Sequence, residues 1–268
     1  MSAEVLSMLT MRSVALTPKA DQAGKEVVLK VFWATTDHWD ETYIASYHEE
    51  VPSIAEQLLS PQYKNEAGES KDNEFTCEDF AIRVLAEFAR KYGLPVKLTT
   101  GVRTYRNMEK YSPAHHSSYK SDHYGFAEMV MKSYGARDMQ KVDVNTIVVA
   151  SPAELNPGDI LAQARDTDKG IAHHIQLAVD VDNERIDIRQ GNADLPIIRP
   201  CTWIVSAFGM NMADPQSIAY AGVPVEKGYF EKKGETWTYR NPGTGAERED
   251  YLAVFELYRW NFLEFNKE

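Results

Sequence analysis

Apolar and polar positions along the chain change period several times. An opening run rich in β-branched residues, EVVLKVFWATT (26 to 36), predicts a strand, and SIAEQLLS (53 to 60) predicts a short helix. The polar stretch KNEAGESKDNE (64 to 74) reads as an exposed loop. After it, Phe80, Ala81, Val84, Leu85 and Phe88 fall on one stripe of a helix. Thr76 and Asp79 form a T-x-x-D capping box at its start, and Gly93 and Pro95 close its end, so Cys77 occupies the first helical position. A second helix is expected over HYGFAEMVMKSYG (123 to 135), stopped by Gly135.

From residue 155 the period shortens. LNPGDILAQA, HHIQLAVDVD, ERIDIRQGN and TWIVSAF read as short strands joined by turns, forming a small antiparallel sheet. The segment 235 to 262 adds two strand-like runs around a Pro-Gly turn, with aromatic residues that could cover an edge of that sheet. Helix before sheet, with little βαβ alternation, predicts an α+β architecture. No repeat or linker divides the chain, so it is read as one domain. Its core is expected over about 53 to 205, with a helical insertion at about 101 to 150 and a C-terminal extension at 206 to 268.

Composition narrows the functions. With 29 basic against 40 acidic residues the net charge is −11, which disfavours a nucleic-acid backbone or an anionic membrane as partner. There is no glycine-rich phosphate loop and no basic helix with interleaved aromatics. The first 30 residues lack a signal-peptide pattern, and no apolar run is long enough to span a bilayer. A cytoplasmic origin without membrane insertion is therefore expected. Two cysteines, Cys77 and Cys201, cannot build a disulfide framework.

Cys77 carries the candidate chemistry. A thiol at a helix N-terminus feels the positive end of the dipole, and unpaired N–H groups there can receive an oxyanion. Glu78 and Asp79 oppose this, since adjacent carboxylates raise a thiol pKa unless they turn away or cap the helix. The bland alternative is a small packed side chain. Downstream, His173 and His174 open an apolar strand and must face opposite sides. His174 shares a face with Gln176 and Ala178, which suits a cleft better than the face of Ile175, Leu177 and Val179 that His173 shares. The next strand ends in Gln190, Gly191 and Asn192, so either amide could hold the imidazole tautomer.

A cysteine at a helix start, a Tyr-Gly-Leu-Pro helix exit, a PGDI strand entry, an H-I-x-L-x-V strand and a strand ending in Q-G-N together resemble the papain-like amidase superfamily. In pattern they are nearest to the NlpC-type and CHAP cell-wall peptidases. The resemblance covers roughly 75 to 95 and 155 to 205. It implies Cys77 as nucleophile, His174 as general base, and Gln190 or Asn192 as the orienting residue. CHAP members usually carry an acid and then an asparagine two positions later, where this chain has Gln190 and Asn192. The Asp-Cys-Ser-Gly signature of the NlpC-type group reads Thr76, Cys77, Glu78, Asp79 here. Tyr63 stands about where those peptidases place a substrate-lining tyrosine.

The implied activity is hydrolysis of amide bonds in peptidoglycan stem peptides, with no metal or organic cofactor. The chain also looks similar to toxin domains delivered by type VI secretion. That likeness implies a signal-less route to a target periplasm, with an immunity protein and the secretion apparatus as partners. Two other readings use the same residues: a protease or deamidase acting on a protein, and a binding module that has lost catalysis.

Other clusters invite blander readings. His115, His116, Asp122 and His123 lack zinc-site spacing and read as a solvated loop beside the cleft, or as a lining of it. Cys201 reads as core, Asp159 as a turn residue, and Trp203, Trp237 and Trp260 as core or sheet cover.

Overall fold

A computed structural model describes residues 27–60, 74–164, 170–191, 207–208 and 210–267. Asn192, Cys201, Trp203, Tyr63 and most of the expected TWIVSAF strand lie outside these residues. The fold is mixed, a few helices against a large antiparallel sheet.

The sheet has eight strands: β1 Thr146–Val148, β2 Ile160–Gln163, β3 His174–Val181, β4 Arg185–Gln190, β5 Glu226–Lys233, β6 Thr236–Asn241, β7 Ala246–Arg248 and β8 Phe255–Trp260. Their spatial order is β7-β6-β5-β4-β3-β2-β8-β1, and every neighbouring pair is antiparallel. The sheet is thus much larger than expected. The region read as an extension supplies four of its eight strands, three at one end and β8 between β2 and β1. The region read as a helical insertion is also mixed. It holds the hairpin strand Thr104–Arg106, the strand Met108–Lys110, a nine-residue helix and β1.

Three helices matter for the site. The first, α1 (Glu41–Leu59), begins twelve residues before the expected start and runs through Pro52. Proline removes one helical hydrogen bond and costs about 3 kcal/mol. Burial of Tyr47, Val51, Ile54, Ala55 and Leu58 along one stripe outweighs that cost. The second, α2 (Cys77–Tyr92), begins and ends where the pattern predicts. Thr76 accepts from the Asp79 N–H (3.4 Å), but Asp79 turns its carboxylate to Arg83 (3.1 Å) and leaves the capping box half made. Gly93 adopts φ +64°, where a Cβ would strike Thr36 Oγ1 at 2.1 Å, so the helix exit requires glycine. The third, α3 (His123–Met131), stops four residues short of Gly135, which instead precedes a 3₁₀ turn at Ala136–Gln140.

Alternation along β3 sorts the core into two layers. Ile175, Leu177 and Val179 face α1 and α2, whereas Ala178 joins Leu161, Ile186, Ile188, Phe230 and Phe255 on the other face. Asp159 does more than turn the chain. It is fully buried, and Arg259 grips both of its oxygens at 2.8 and 2.7 Å, tying β8 to the entry of β2. Trp260 is fully buried core.

Candidate functional site

Cys77, His174 and Gln190 come together at one open cleft of about 880 Å³. They arrive from different elements and from different sides of the sheet. Helix α2 packs on the Ile175 face, bringing its first turn to the place where β4 ends. There Gly191 lies against the backbone of Phe75 and Thr76, so closely that a Cβ would meet the Phe75 carbonyl oxygen at 2.3 Å. The absence of a side chain at 191 lets the start of α2 reach the sheet. Cys77 is half-buried, and the Ile175 N–H, one residue beyond His174, points at its sulfur.

His174 projects from the opposite face, as its parity with Gln176 predicts. Its ring Nε2 lies 3.0 Å from Gln190 Oε1. Neighbouring groups fix the sense of that bond. Gln190 Nε2 donates to a Glu226 carboxylate oxygen (3.0 Å) and to the Tyr239 hydroxyl (2.9 Å), so its Oε1 must face the imidazole. Gln176 Nε2 donates to the same Oε1 (2.8 Å). Nε2 therefore donates this bond, which in the neutral imidazole leaves the lone pair on Nδ1, the form a general base needs. Asn241 in turn donates to the same Glu226 oxygen (2.8 Å). His173 also lines the cleft but is exposed. Of the two amides proposed as orienting residues, Gln190 makes the contact, and Asn192 lies outside the described residues.

Electrostatics at the sulfur run against a resting thiolate. Burial pushes the Cys77 thiol well above its ordinary range, and the neighbouring Glu78 carboxylate adds to the shift. Glu78 is itself buried and raised by that burial, with Oε1 accepting from the Ala136 N–H at 2.8 Å. Asp79 has turned away to Arg83, but Glu78 has not. Both effects favour the protonated thiol of Cys77 over the thiolate.

Two further arrangements differ from expectation. His116 is buried, accepts from the Ser112 N–H through Nδ1 (2.7 Å) and donates through Nε2 to Glu109 (2.7 Å). His123 bonds Glu87 (2.9 Å), and Asp122 caps α3. Their segment is pinned into the fold, and neither His115, His116, Asp122 nor His123 lines the cleft. Among the described residues no three His, Cys, Asp or Glu side chains converge as metal ligands. No helix among them is long and apolar enough to cross a membrane.

Sequence reasoning missed Glu226 and Tyr239, which come from strands 36 and 49 residues beyond Gln190 and are reached only by sheet pairing. No local signal marks them. Gly191 was visible within Q-G-N, but its close approach to Thr76 is a tertiary fact. No family model, curated protein or solved structure matches the chain.

Proposed function

We propose that this protein is a papain-like cysteine hydrolase that cleaves an amide bond. The observation that carries the reading is the imidazole of His174, held through Nε2 by Gln190 in the cleft that Cys77 also lines. Because the thiol rests protonated, attack and proton transfer are coupled. His174 Nδ1 takes the Sγ proton as sulfur bonds to the scissile carbonyl carbon. The Cys77 N–H, at the first position of α2, has no intrahelical partner and stabilises the oxyanion. The proton then passes to the leaving amine as the C–N bond breaks. Water, deprotonated by the same imidazole, hydrolyses the thioester and restores the thiol.

The substrate we favour is the peptidoglycan stem peptide, and that choice rests on the resemblance of the Cys77, His174 and Q-G-N segments to wall peptidases. Delivery through a type VI route, with an immunity protein as partner, belongs to the same proposal. The test is fragment release from purified peptidoglycan, followed by mass spectrometry, for wild type, Cys77→Ala and His174→Ala. Thiol-dependent release supports the reading, and equal release by a folded Cys77→Ala protein sinks it.

A second reading has its own observation. The raised thiol and the buried Glu78 beside it favour a binding module that has lost catalysis. Such a Cys77 would alkylate no faster at any pH in the native protein than in the denatured chain.

A further inference from the structure

One side chain of the cleft is not used by the mechanism above. Arg248, on β7, is the only lysine or arginine among the described residues that line it, in a chain of net charge −11. Three contacts fix its position. It pairs with Tyr239 across β6 and β7 and so shares the face of Tyr239, whose hydroxyl accepts from Gln190. Its Nη1 donates to the Tyr251 hydroxyl (2.7 Å), and its guanidinium lies over the Tyr251 ring at 4.7 Å. The same hydroxyl accepts from Gln163 (2.8 Å), the cross-strand partner of His174. The guanidinium is thus tied from two sides to residues that hold or flank the imidazole.

No carboxylate pairs with Arg248 among the described residues, whereas Glu247, its neighbour in sequence, projects from the other face to Arg240 (2.8 Å). Of the described cleft carboxylates, Glu226 accepts from Gln190 and Asn241, and Glu78 from the Ala136 N–H. A guanidinium stacked on an aromatic ring is pre-organised, and its remaining donors suit a bidentate carboxylate.

We propose that Arg248, held by Tyr251, is a carboxylate-recognition subsite, and that the cleft selects acyl groups bearing a free carboxylate near the scissile bond. The proposal deepens, and rests on, the reading of Cys77 as the nucleophile. A substrate carboxylate would approach the two outer guanidinium nitrogens while the scissile carbonyl lies at Cys77. Arg248 and Cys77 line the same cleft, so one extended acyl group can meet both.

The test uses a matched pair of alkylating probes, N-iodoacetyl-glycylglycine and its carboxamide, differing only in the terminal charge. Peptide mapping reads alkylation at Cys77 separately from Cys201. Wild type should favour the acid over the amide, with an acid-to-amide rate ratio about tenfold above that of Arg248→Ala. Arg248→Lys should recover part of the preference. Arg240→Ala, which removes one positive charge from the opposite face of the same hairpin, should leave the ratio at the wild-type value. A wild-type ratio no higher than that of Arg248→Ala, with Cys77 reacting readily, overturns the subsite and leaves the nucleophile intact. A Cys77 that neither probe modifies overturns both.

Discussion

At the scale of single residues, the thiol and its neighbour set the chemistry. Glu78 is the second cause, after burial, of the raised Cys77 pKa. A negative charge beside a thiol disfavours the thiolate, so removing it must lower the pKa. Glu78→Gln is therefore expected to move the pH midpoint of Cys77 alkylation down by roughly one unit. A profile unmoved or shifted upward contradicts that account. Gln190 offers a second check. Gln190→Ala removes the acceptor of His174 and orphans the buried Gln176 amide, a loss of about 1 to 3 kcal/mol in urea unfolding. Turnover should fall by at least about tenfold, because the tautomer is no longer fixed. Gln190→Glu would replace the amide that donates to Glu226 at 3.0 Å by a second carboxylate, and that repulsion should lower stability in urea unfolding below that of wild type. Strand parity alone put His174 on the face of Gln176, where its ring meets Gln190. The fate of Glu78 was not, because an adjacent carboxylate in sequence can turn either way, as Asp79 does.

At the scale of elements, α2 was the most legible feature. Its stripe, N-cap and glycine exit are all local, and local signals survive folding. Helix α1 was misjudged at Pro52 because the sequence displays the proline penalty and hides the buried stripe that outweighs it. The junction between α2 and the end of β4 depends on Gly191. Gly191→Ala drives a methyl into the Phe75 and Thr76 backbone, so the first turn of α2 must shift or the strand end must bend. A loss of about 1 to 3 kcal/mol in thermal unfolding is expected, with activity falling further than stability explains. Unchanged stability and activity would contradict the close approach described here.

Across the whole molecule, what could not be read was long-range pairing. Alternation placed β2, β3 and β4 correctly, but nothing local says that β5, β6 and β7 extend the sheet beyond β4, or that β8 enters between β2 and β1. That arrangement brings Glu226 and Tyr239 behind Gln190 and puts Arg248 over the cleft. It also turns Asp159 from a turn residue into the anchor of β8. Burial raises the Asp159 carboxyl and the Arg259 guanidinium opposes the shift, so Arg259→Ala leaves a buried charge without its partner. A loss of about 3 to 5 kcal/mol is expected in denaturant unfolding, and a loss under about 1 kcal/mol would show that the pair does not hold the two strands. The central claim, that Cys77 and His174 form one catalytic unit, is tested most directly by incubating purified peptidoglycan with wild type, Cys77→Ala and His174→Ala, each confirmed folded, and identifying released fragments by mass spectrometry. The account predicts fragments from wild type alone, with new termini at a single amide bond. Release by either variant at the wild-type rate would contradict the catalytic unit, and no release by wild type would contradict the wall as its substrate.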